Sequence, residues 1–315
     1  MEGVGDFEGV KLIHTEGLDL ALNFWSVWNG GNPYEVNSVH LDRPVINIIA
    51  LADGKANYDI TKPKPPSAPT AFKLSLEKYT IDNGTIVYDD RALGFYMALK
   101  GMNHSGSGEM TADVYDLDTE TAVDSLSMSY GAVKYLSNAK TDLKTIVNAD
   151  IKNMKFTLKE TDAKINELKM AINGWTQLKG DDILMDMTFK APSNNFKDFL
   201  SIIPAAYTKN YSDVSASGTF NFDGFVKGKY NDKQYPAFKI NLAVQNGAFQ
   251  YPKLPLGASE LNTQLSVALP SSNFNDMAFD VTAFHAKLGA NPIDAVFHLR
   301  TPVSDPNVDL KAKGP

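Results

Sequence analysis

Three stretches, IDNGTIVYDD (Ile81 to Asp90), IKNMKFTLKE (Ile151 to Glu160) and VQNGAFQYPK (Val244 to Lys253), carry one pattern. In each, a β-branched residue leads to Asn, then to a small or adaptable residue, and aromatic and β-branched residues follow. A second alternating run comes after every copy. A strand–turn–strand unit that recurs along a chain builds an extended sheet rather than one closed catalytic domain. The spacing between copies is irregular, so the repeat is loose and not a short-period solenoid.

Alternation with period two is clean beyond these copies. Ile183, Met185, Met187 and Phe189 share one side, while Leu184, Asp186, Thr188 and Lys190 take the other. Phe238, Ile240, Leu242 and Val244 oppose Lys239, Asn241 and Gln245, and Leu261, Leu265, Val267 and Leu269 oppose Asn262, Gln264 and Ser266. One apolar and one wet face marks antiparallel sheet. A parallel α/β fold needs a long crossover between strands, and these gaps are too short for one. The expected fold is therefore all-β and mainly antiparallel, an elongated curved sheet or groove of repeated β units.

Two segments depart from that rule. From Ser193, Phe196, Phe199, Leu200, Ile203 and Tyr207 fall at helical spacing, with Ser193 or Asn194 as the expected cap and Pro204 ending the helix near Ile203. A second short helix is expected over Phe24 to Trp28. TKPKPPSAPT (Thr61 to Thr70) holds four prolines in ten residues and reads as a loop. The resulting division is a β segment over 1–60, the Pro-rich loop over 61–70, a β-repeat region over 71–192, and a helix with further β repeats over 193–315, with more chain expected beyond.

The 315 residues carry a net charge of −7, which provides no broad basic field and argues against nucleic acid. The absence of cysteine removes disulfides, thiolate metal sites and cysteine nucleophiles. No apolar run is long enough to span a membrane as a helix. His14, His40, His104, His285 and His298 have no ligand spacing, although His285 and His298 could meet across neighbouring strands. Asp89–Asp90 and Asp181–Asp182 read as turn formers at strand ends. GMNHSGSGEM (Gly101 to Met110) reads as a flexible turn, since it lacks the Gly-Lys-Ser/Thr ending of a phosphate loop. No G-x-S-x-G elbow is present. These absences point to a non-enzymatic protein without cofactor or metal.

The remaining question is what covers the apolar faces. A strand such as Ile183 to Phe189 shows four apolar side chains on one side, and leaving them wet forfeits about 1.5–3 kcal/mol apiece. Two short helices cannot cover some fifteen strands of this kind, roughly counted from the alternating runs. A second sheet, a membrane or an apolar ligand must do so. Methionine suits surfaces that accept varied apolar partners, and several methionines fall on these faces. The candidate groove residues are Met97, Leu99, Met128, Met170, Ile172, Ile183, Met185, Met187, Phe189, Ile240, Leu242, Leu265 and Val267.

Two long stretches carry a family likeness. VHLDRPVINIIALADGKANYDI (Val39 to Ile60) is similar to an N-terminal phrase of the AsmA family of envelope proteins, in its Bacteroidetes form. The block from Phe196 to Pro255 resembles a later part of that family through Ile203-Pro204, Ser217-Gly218, Val226-Lys227-Gly228 and Tyr251-Pro252-Lys253-Leu254-Pro255. The resemblance implies a periplasmic protein tethered to the inner membrane by a helix absent from this chain. It also implies a hydrophobic β groove for phospholipid, a role in outer-membrane homeostasis, possible envelope protein partners, and no catalytic residues. The competing expectation is a closed β scaffold that assists outer-membrane assembly, its apolar faces packed on each other. An outer-membrane barrel is disfavoured by uneven strand lengths.

Overall fold

The computed structural model describes residues 3, 5–28, 34–59, 74–110, 112–180, 182–203, 214–231, 233–251 and 255–315. The Pro-rich segment at 61–70, Pro204 and Tyr207 lie outside these. The chain is nearly all β and divides into two compact units, residues 1–150 and 151–315.

The first unit contains β1 (Ile13–His14), β2 (Gly17–Leu22), α1 (Phe24–Trp28), β3 (Tyr34–Asp42), β4 (Val45–Ala50), β5 (Leu74–Asp90), β6 (Phe95–Ser107), β7 (Val114–Tyr130) and β8 (Val133–Asp150). Strands β5 to β8 form an antiparallel meander. The antiparallel expectation fails at one place: β3 and β4 both run parallel to β5. They behave as one strand broken at Arg43–Pro44, where Arg43 takes a positive φ of 44°. Residues 51–73 are long enough to return the chain for a parallel pairing, which a hairpin turn is not.

The second unit is a simpler object. It runs β9 (Lys155–Ile165), β10 (Leu168–Lys179), β11 (Asp182–Lys190), α2 (Phe196–Leu200), β12 (Ser215–Tyr230), β13 (Ala237–Gln250), β14 (Ala258–Leu269), β15 (Ala278–Leu288), β16 (Asn291–Arg300) and β17 (Asn307–Lys313). Every consecutive strand pair is antiparallel. Helix α2 is shorter than the sequence pattern suggests. It is capped by Asn195, whose side chain accepts a hydrogen bond from the Lys197 N–H, and not by Ser193 or Asn194.

The repeated phrase has a structural counterpart in two of its three copies. In β5 and β13, Asn83 and Asn246 adopt left-handed backbone angles, φ 53° and 49°, in mid-strand. Each donates its N–H to the side-chain oxygen of an Asn on the next strand, Asn83 to Asn103 at 3.0 Å and Asn246 to Asn262 at 2.9 Å. The glycine that follows is buried in both, because a neighbouring side chain fills the space of a Cβ. A Cβ on Gly84 would lie 2.9 Å from Ile81, and one on Gly247 would lie 2.8 Å from Val244. The copy at Ile151 differs. There the left-handed residue is Met154, in a turn closed by Met154 N–H to the Ile151 carbonyl. Asn is among the residues that tolerate this conformation, and in both strands a neighbouring side chain caps its N–H.

Gly101 to Ser107, read as a flexible turn, is instead part of β6. Gly106 is required there because the Tyr79 ring occupies the place of a side chain, about 2.3 Å from where its Cβ would sit.

Candidate functional site

Pairing in the second unit stacks the predicted apolar residues into rows that run across the strands. One row passes Ile172, Phe189, Gly224, Ile240, Val267, Phe279, Leu299 and Val308. A parallel row passes Phe222, Leu242, Leu265, Val281, Phe297 and Leu310. From β12 to β17 such a row extends roughly 24 Å at the usual interstrand spacing. Met185 and Met187 continue the face on β11 beside Val226 and Phe238.

Along the middle of this face the side chains are half-buried, the two β17 residues being exposed. Aromatic contacts hold them to one another, Phe189 to Phe222 at 5.6 Å and Phe279 to Phe297 at 5.5 Å between centroids. Covering each would return about 1 kcal/mol, half the value of full burial.

The two ends differ from the middle. At one end α2 lies on the face and buries Phe196, Leu200, Leu168, Val214, Phe220 and Val244. Phe199 meets Phe220 at 5.4 Å, and Phe196 meets Phe249 at 6.4 Å. The helix is tied to the β9–β10 turn, where the Asn166 amide donates to the Ser201 carbonyl at 2.7 Å and the Glu167 N–H donates to Ser201 Oγ at 3.0 Å. At the other end the loops after β12 and β14 bring together Tyr230, Tyr235 and Phe274, with Tyr235 and Phe274 4.7 Å apart. Leu269 is buried on this side.

The opposite face is polar and paired. Lys227 meets Asp186 at 2.7 Å, and Asp182 takes Lys229 at 3.3 Å and the Asn231 amide at 2.6 Å. His285 and His298 do not meet across the ladder; each faces an aspartate instead. His285 Nδ1 lies 2.7 Å from Asp294, and His298 Nδ1 lies 2.6 Å from Asp280. The Asp294 hydrogen bond raises the His285 pKa. Burial pushes the Asp280 carboxyl upward, but His298 and Arg300 outweigh it and hold the group below its ordinary value. A shallow hollow of about 480 Å³ opens on this side between His285, Asp294, Lys311 and Lys313, away from the predicted groove residues. Among the described residues no three acidic or histidine side chains gather as metal ligands.

In the first unit, Met97 pairs with Met128, and Leu99 with Leu126. Tyr88 and Ile86 on β5 continue these rows. Met97, Leu99 and Met128 are half-buried, as are Ile172, Ile183, Met185, Met187, Phe189, Ile240, Leu242, Leu265 and Val267. Met170 is the exception. It is buried beside Leu168 at the α2 end and serves packing rather than an open surface.

Sequence reasoning left several members of the rows unassigned, chiefly Phe222, Val281, Phe279 and Phe297. Their alternation was readable, but the rows they join are set by strand pairing, which for Val281 includes a register shift between β14 and β15. Comparison with protein-family models, with curated proteins and with solved structures finds no match to this chain.

Proposed function

We propose that this chain is a non-enzymatic segment of an AsmA-type envelope protein that holds or conducts phospholipid acyl chains. The carrying observation is the strip of large apolar side chains, left half-buried across β11 to β16, exposed on β17, and packed over at its two ends. A conventional sandwich would bury such a strip under a second layer. Acyl chains laid along the rows would complete the burial, while the ion-paired face meets water. Transfer would be passive sliding with no covalent step. The family likeness quoted above supplies the cargo, the periplasmic location and the tether to the inner membrane.

The test is lipid analysis of purified protein by native mass spectrometry. Wild-type protein should carry phospholipid, and the Met185→Asp/Met187→Asp variant should lose it while keeping its unfolding midpoint within a few degrees, since both sites are partly open. Wild-type protein free of lipid, and unable to bind an apolar dye, would sink the reading.

A further inference from the structure

A second apolar surface lies in the first unit and plays no part in the rows above. Helix α1 consists of Phe-Trp-Ser-Val-Trp, and its three rings stand in the open, with Phe24 63%, Trp25 66% and Trp28 73% exposed. Just before it on β2, Leu18, Leu20 and Leu22 are each at least half exposed. Left to the hydrophobic effect alone, such rings would fold inward. They are held outward by polar staples to β3. Asn23 Oδ1 accepts from the Trp25 N–H at 3.0 Å, and the Asn23 amide donates to Glu35 at 2.7 Å. Ser26 Oγ donates to the Asn23 carbonyl at 2.9 Å and accepts from the Glu35 N–H at 3.1 Å. Phe24 stacks on Trp28 at 5.8 Å and meets Trp25 edge-on at 5.5 Å, so the rings form one cluster.

We infer that α1 and β2 dock onto a zwitterionic lipid bilayer, with Phe24, Trp25 and Trp28 seated at the boundary between headgroups and acyl chains. Tryptophan, with an apolar body and one N–H donor, is suited to that boundary. Neither indole N–H finds a partner among the described residues.

Charge selects the kind of membrane. From Leu12 to Asp42 the chain has no lysine or arginine, while Asp19 lies on β2 and Glu35 is hydrogen-bonded to Asn23 beside the cluster. An anionic surface would be repelled and not attracted. Charge also argues against a second copy as the occupant, since an isologous interface sets the same patch on both sides and would bring Asp19 and Glu35 near their own counterparts.

The experiment is flotation of the protein with phosphatidylcholine vesicles, with and without anionic lipid. In a Trp175→Phe background the two remaining tryptophans both report on the cluster, since the chain has three in all. Wild-type protein should float and show a blue shift, neither effect weakened at salt on the order of 0.5 M, where exposed charges are screened. Trp25→Ala/Trp28→Ala should lower the partition at least about tenfold, with an unchanged unfolding midpoint as the control. The Met185→Asp/Met187→Asp variant should float like wild type, because docking does not depend on the second unit's apolar face. Equal flotation of the tryptophan variant, binding that requires anionic lipid, or dimerisation lost in that variant without vesicle binding would each overturn the inference.

Discussion

Phe220 and Phe222 stand two residues apart on β12 and face the same way, yet they meet opposite fates. Phe220 is 1% exposed beneath α2, and Phe222 is half-buried on the open strip. Their partners on β13 follow suit, with Val244 buried and Leu242 half-buried. The alternation that builds the strand is the same in both places. The difference comes from a five-residue helix laid over one end. Strand patterning thus selects a face, and only a covering element turns that face into core.

The sharpest way to break this comparison is to truncate both phenylalanines. Phe220→Ala should cost about 3–5 kcal/mol in urea unfolding, as expected for a buried ring, and Phe222→Ala about half that. Equal losses would mean that the middle of the strip is as enclosed as its end. Removing the cover itself should come next: Leu200→Ala is expected to cost about 2–4 kcal/mol, and hydrogen exchange should rise at Phe220 and Val244 before it rises at Leu242. A smaller effect, near 1 kcal/mol, is expected from Asn195→Ala, which strips the helix cap but leaves the apolar contacts. Thermal unfolding of that variant should show a lowered midpoint and the same lipid content as wild type.

The least effect concerns two histidines whose surroundings shift their pKa values in opposite directions. His104 is partly buried, between Tyr79 and Thr121, and burial lowers its pKa. Its neutral form is favoured by folding, so stability should hold above the ordinary pKa of about 6.5 and fall as the pH drops through it. His285, raised by Asp294, should act oppositely: its contribution is present below that ordinary value and lost as the pH rises through its folded pKa. Thermal midpoints measured from acid to mildly basic pH should show a flatter acid limb in His104→Gln and a flatter neutral limb in His285→Gln.

The strand faces were legible because residue alternation is a local property. Ile183 to Phe189 reads as one strand with or without its neighbours. Helix α2 was legible in its apolar spacing, but its cap was not. Ser193, Asn194 and Asn195 are all competent acceptors, and tertiary packing of Phe196 decides among them. The strand role of Gly101 to Ser107 was hidden because glycine signals a turn unless an outside ring, here Tyr79, needs the space. The parallel pairing of β3 and β4 on β5 was invisible for a similar reason. It depends on where residues 51–73 carry the chain, not on any residue in the strands.

The left-handed Asn83 and Asn246 have a consequence for folding fidelity. In a meander of strands that all alternate, sliding one strand past the next by two residues keeps every apolar side chain on its proper face, so patterning alone does not forbid it. An asparagine whose N–H is met by one particular asparagine on the adjacent strand removes that freedom, since a two-residue slip leaves a backbone donor without its acceptor. The two Asn–Gly sites act as detents that fix the strands in one alignment.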